Sequence, residues 1–130
     1  MLKHTALASL LVTVALASGC SHYGATASTA PAMLTQGVLT TPSGMTLYTF
    51  DKDAANSGKS VCNGPCAKLW PPFMVANNEQ ASGAYSIVTR DDGAKQWAYK
   101  GKPLYTFQSD AKPGDRSGDK VKDVWHIIKE

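Results

Sequence analysis

The chain has 130 residues, of which 43% are hydrophobic, 18% charged and 8% aromatic, a length suited to about one domain. Its charge is 13 minus 10, or +3, too small and too evenly spread for a nucleic-acid partner. Apolar content near the globular average excludes wholesale disorder.

Lys3 and His4 open the chain, a mostly apolar run follows from Thr5 to Ala17, and small residues lead up to Cys20. That order reads as a secretory signal peptide over residues 1–19. A membrane-spanning helix needs about 20 apolar residues, more than this run or any later segment offers. Leu16-Ala17-Ser18-Gly19-Cys20 resembles the lipobox of bacterial lipoproteins, departing from it at Ala17, where Leu is commonest. The resemblance implies diacylglycerol on the Cys20 thiol, cleavage just before it, and acylation of the new amino terminus. Two or three acyl chains hold a protein at a membrane where one does so only marginally. Ser21, standing where Asp would retain an inner-membrane lipoprotein, implies the periplasmic face of the outer membrane in a Gram-negative cell.

Residues 20–36 then read as the lipidated terminus and a flexible tether, rich in Ser, Thr, Ala and Gly with almost no charge. Within 37–130 the chain repeats itself. Gly44-Met-Thr-Leu-Tyr-Thr-Phe-Asp-Lys-Asp53 aligns with Gly101-Lys-Pro-Leu-Tyr-Thr-Phe-Gln-Ser-Asp110, with six identities in ten at an offset of 57. Trp70 and Trp125 follow at an offset of 55. Two copies of one supersecondary unit, at about 37–73 and 85–128, are therefore expected.

In chain order the first unit predicts a strand at Val38–Thr40, a Thr-Pro-Ser-Gly turn and a strand at Met45–Phe50. Pro65–Trp70 suits one short helical turn, with Pro65 at the first helical position and Pro71-Pro72 ending it. Tyr85–Thr89, Gln96–Tyr99, Pro103–Phe107 and Val124–Ile128 read as further strands, with turns at Asp91-Asp92-Gly93 and Lys100-Gly101. The strands flanking Asp91-Asp92-Gly93 are expected to pair in sequence. Tyr48 and Phe50 share one strand face and Leu47 and Thr49 the other, as Tyr105 and Phe107 do against Leu104 and Thr106. The fold class is a small, mainly β, antiparallel domain of two related hairpin-containing repeats.

Tyr48/Phe50/Asp53 and Tyr105/Phe107/Asp110 each spell Y-x-[FWY]-x-x-D, similar to the motif of a bacterial lipoprotein family described as a secreted repeat of unknown function. Cys62-Asn-Gly-Pro-Cys66-Ala-x-x-Trp70-Pro-Pro and Pro113-Gly-Asp115 resemble it too. The resemblance implies a repeat-built envelope lipoprotein and carries no catalytic residue.

With Cys20 lipidated, Cys62 and Cys66 remain as a pair, and an oxidising compartment favours a disulfide between them. The sharper alternative is a redox or copper site, for which the spacing is not C-x-x-C and no His is adjacent. Asp51–Asn56 fails as a calcium loop, because Ala55, Asn56 and Cys62 occupy its fifth, sixth and twelfth places. Asp53 and Asp110 are instead expected to accept backbone amides where a strand turns into a loop. His126 is the single candidate base in the domain, with no G-x-S-x-G elbow beside any Ser. Trp70, Trp97, Trp125 and the paired Phe positions are expected in the core, with Tyr48 and Tyr105 at its wetter end. No cofactor or metal is expected. The reading is a non-enzymatic binding or structural module, its partners the membrane through its lipid and an envelope protein or small ligand.

Overall fold

A computed structural model describes Gly19 and residues 29–130. Residues 1–18 of the expected signal peptide, and Cys20, Ser21 and His22, lie outside the described residues. Among the described residues are seven short strands and one α-helix: β1 (Met33–Thr35), β2 (Val38–Thr40), β3 (Tyr48–Phe50), α1 (Pro65–Leu69), β4 (Tyr85–Thr89), β5 (Lys95–Tyr99), β6 (Lys102–Pro103) and β7 (Trp125–Ile127). They form three antiparallel sheets, β1-β2, β3-β7 and β4-β5-β6. A single 3₁₀ turn spans Val121–Asp123.

Strand structure begins at Met33, inside the segment read as tether, with Ala32 already buried. The signal is local and short. Gln36 and Lys100 have φ of 50° and 47°, and Gly37 and Gly101 follow at 75° and 82°. Two consecutive positive φ values characterise the type I′ turn, whose twist suits a two-residue hairpin. One such turn joins β1 to β2 and the other joins β5 to β6. Three residues before a Gln-Gly turn carry too little alternation to stand out from a Ser/Thr/Ala-rich tether.

Three of the expected strands are shorter than read, Val124–Ile128 by one residue at each end. Met45–Phe50 keeps regular pairing only over Tyr48–Phe50, with a bridge from Thr46 to Thr40. Pro103–Phe107 contributes β6 and a single bridging residue, Tyr105. One cause lies at Tyr105's partner, Pro72, which has no amide hydrogen to extend a ladder. The short helix stands as read, with Pro65 in its first turn.

The expected pairing across Asp91-Asp92-Gly93 holds as β4-β5, and the two repeats also pair with each other. β3 of the first repeat pairs with β7 of the second, Tyr48 opposite Ile127 and Phe50 opposite Trp125. Reciprocally, Tyr105 of the second repeat bridges Pro72 of the first. At the centre Tyr48 and Tyr105 exchange both backbone hydrogen bonds, at 2.8 and 3.0 Å. The repeats therefore interlock through one shared sheet and these bridges.

The alternation read from the motif strands sorts side chains into two cores. Leu47 and Leu104 join Leu39, Trp97 and Ala32 on one side. Tyr48, Phe50 and Tyr105 join Cys62, Trp70 and Trp125 on the other. Cys62 and Cys66 are joined by a disulfide, with Cα atoms 5.2 Å apart.

Candidate functional site

The second core is organised about the pseudo-dyad between the repeats. Phe50 stacks on Trp125 with ring centroids 4.2 Å apart, Trp125 on Trp70 at 3.8 Å, and Trp70 on Phe107 at 4.1 Å. Each Phe of the motif thus covers the Trp of the other repeat. Tyr48 meets Trp70 edge-on at 5.4 Å and Tyr105 meets Trp125 edge-on at 5.2 Å, the arrangement that ring quadrupoles favour. Phe50 is buried, whereas Phe107 is half-buried, so the two positions are not matched core residues.

The tyrosine hydroxyls follow the same exchange. Tyr48 donates to Asp110 Oδ2 at 2.6 Å, and Tyr105 donates to Asp53 Oδ2 at 2.5 Å. Both tyrosines and Asp53 are at most 1% exposed. The expectation of a wetter end for Tyr48 and Tyr105 is therefore corrected: a buried carboxylate replaces water as the hydroxyl's partner. The aspartates also accept the expected amides, Asp53 Oδ1 from Val61 at 2.8 Å and Asp110 Oδ1 from Ser117 at 3.0 Å. Ser117 Oγ donates to Asp110 as well, and Gly118 donates its amide to the Tyr48 hydroxyl. A Cβ on Gly118 would lie 2.8 Å from the Trp70 ring and 2.9 Å from Tyr48, so only glycine fits there.

One half carries an addition the other lacks. Tyr105's hydroxyl also bonds Ser60 Oγ at 2.7 Å, and Ser60 accepts from buried Arg90 at 3.0 Å. Arg90 donates further to Gln96 Oε1 at 2.7 Å, to the Cys62 carbonyl at 2.6 Å and to Asn63 Oδ1 at 3.2 Å. All four acceptors are neutral, and Asp53 sits two hydroxyls away along the chain Arg90–Ser60–Tyr105–Asp53. Arg90, Ser60 and Gln96 went unread in the sequence. Ser60 and Ser117 do share the motif's offset of 57, a signal for the serines, but nothing marks Arg90.

Burial, followed by the hydrogen bond to aspartate, pushes both phenols far above their ordinary value near 10. A folded state that holds its proton to higher pH than the unfolded chain is fully favoured below about pH 10 and loses that advantage as pH rises beyond it. Of the five tyrosines, Tyr48 and Tyr105 are expected to ionise only as the domain unfolds. Phenolate absorbance followed alongside near-ultraviolet circular dichroism checks this. Full ionisation of all five with the native dichroism intact contradicts it.

The other candidates are placed at the surface. His126 Nε2 lies 2.8 Å from Asp51 Oδ2, with both side chains well exposed. Asp115 accepts the amides of Ala111 and Lys112, and Asp119 that of Ile127, so these two carboxylates order the loops around them. Above the ring stack lies a groove of about 440 Å³. Cys66 and Leu69 of α1 form one side, and Val121 and Val124 around the 3₁₀ turn form the other.

Two stretches, 35–74 and 86–129, match the family model described as a secreted repeat of unknown function. The chain belongs to that family. The secreted repeat thus occurs here as a pair, and each copy supplies the tyrosine, aspartate and phenylalanine partners of the other. No curated protein and no solved structure is significantly similar to the chain.

Proposed function

We propose that this secreted repeat protein is a lipid-anchored, non-enzymatic binding module of the bacterial envelope, held by Cys20 on the periplasmic face of the outer membrane. The observation that carries the non-enzymatic reading is the cross-repeat exchange of buried Tyr–Asp bonds. It commits the motif's polar groups to holding the halves together and leaves them no solvent-facing chemistry. The Cys62–Cys66 pair supports the same reading, because copper handling requires free thiolates and these sulfurs are bonded to each other. The groove at the dyad, bordered by both repeats, is the face offered to a partner. The anchor rests on the lipobox-like Leu16–Cys20, with Ser21 supporting the outer-membrane address.

Cys20→Ser tests the anchor. The variant is expected to leave the detergent phase for the aqueous phase and to lose the mobility shift of acylation. Unchanged partitioning and mobility overturn the anchored reading.

A further inference from the structure

We infer that the groove over the ring stack is a binding site for a small anionic amphiphile, a flat apolar body bearing a carboxylate, sulfonate or phosphate. The inference rests on the binding-module reading and names its ligand class. The groove lies on the pseudo-dyad: the Trp and Phe rings of its floor come in pairs, and its walls oppose Cys66 to Val121 and Leu69 to Val124, both at the offset of the tryptophans. Sites formed between two structural units are where ligands commonly bind, and about 440 Å³ suits a small molecule rather than a protein surface.

The symmetric lining is apolar. What breaks the symmetry is charge: Lys52 and Lys122 border the groove, and no carboxylate does so among its described lining residues. The repeat-related positions are Ser109, at the motif offset, and Ala67, at the tryptophan offset, neither of them charged. Asp51, beside Lys52, is already held by His126. Two cations over an aromatic floor complement an anion attached to an apolar body, and in a partly desolvated groove such a charge pair is stronger than in open water.

The wall bearing Lys122 is also conformationally costly. Lys120, Lys122 and Asp123 have φ of 65°, 50° and 55°, a left-handed backbone that non-glycine residues seldom adopt. Backbone of this kind concentrates at ligand clamps and switch regions. Here one such residue, Lys122, borders the groove itself, between the lining residues Val121 and Val124.

The test uses two fluorescent probes that share an apolar body, anilinonaphthalene sulfonate and the uncharged phenylnaphthylamine, titrated into the folded protein. The sulfonate is expected to bind saturably and about tenfold more tightly than its neutral counterpart, with energy transfer from tryptophan. Lys52→Met with Lys122→Met, which keeps apolar stems in place, should abolish that preference while leaving neutral-probe binding and the melting temperature unchanged. Neutral and anionic probes binding equally to the parent protein overturns the anionic class and leaves the binding-module reading standing. Failure of both probes to bind the folded protein overturns both. Leu69→Asp should weaken both probes, and retained binding in that variant places them elsewhere and refutes the site.

Discussion

Trp125→Ala is expected to destabilise the domain by about 3–5 kcal/mol, the range for deleting a buried aromatic that its surroundings cannot refill. Its ring is 3% exposed and touches one ring from each direction that matters: Phe50 and Trp70 on its two faces, Tyr105 against it edge-on. Two of those three neighbours belong to the first repeat or to its partner stack, so the deletion loosens the contact between the halves. Against a usual total of about 5–15 kcal/mol, the variant should be marginal. Phe107→Ala is the matched comparison. Phe107 caps the same stack from its half-exposed end, where truncation opens a site to water rather than a closed cavity, and about 1–2 kcal/mol is expected. Phe50→Ala, buried, should fall nearer the Trp125 variant. Denaturant midpoints at constant slope give these differences directly. Equal losses at Phe107 and Trp125 would show that the outer ring is as enclosed as the inner one, and the stack as described would be wrong.

How much of this was legible beforehand follows from what kind of interaction each residue makes. The repeat was visible because Gly, Leu, Tyr, Thr, Phe and Asp recur at one offset, and the division of Leu47 from Tyr48 and Phe50 was visible because strand alternation depends only on neighbours. The Cys62–Cys66 disulfide and the Pro65 helix were legible for the same local reason. The exchange between repeats was not. A motif in which Tyr48 bonds Asp110 and Tyr105 bonds Asp53 has the same sequence as one in which each tyrosine bonds its own aspartate, and only the pairing of β3 with β7 decides between them. An aromatic groove was conceivable from the Trp and Phe residues, but its walls were not legible, because Leu69 and Val124 are ordinary apolar residues until two repeats bring them face to face. Arg90 is unremarkable beside Asp91 and Asp92 in a turn, where a charged residue is expected at the surface; its burial depends on Ser60, Cys62 and Asn63, contributed from about thirty residues away.

Arg90 makes the two halves unequal in a way that stability can read. Arg90 is 5% exposed and its guanidinium rests on neutral acceptors, while the ion pairs among the described residues, Lys100–Glu130 and His126–Asp51, do not include it. Along its hydrogen bonds Asn63 leads only to solvent-exposed Asp91, and the buried balancing charge is Asp53, reached through Ser60 and Tyr105. Asp110 has no such connection. Asp53→Asn removes that balance as well as a charged acceptor, and is expected to cost more than the roughly 1.5–3 kcal/mol that hydrogen bonds to a charged group contribute. Asp110→Asn weakens hydrogen bonds to a charged acceptor without stranding an opposite charge, and about 1.5–3 kcal/mol is expected. The decisive measurement is a pair of double-mutant cycles with Arg90→Met. Asp53→Asn and Arg90→Met should couple by about 0.5–3 kcal/mol, because the second substitution removes the charge that the first leaves unbalanced. Asp110→Asn and Arg90→Met, acting through separate networks, should add to within about 0.5 kcal/mol. The same coupling in both cycles would mean that Arg90 senses the overall field of the domain. Coupling in the Asp53 cycle alone assigns the charge relay to the Ser60–Tyr105 hydroxyls, and with it a reason for two repeats of one motif to differ.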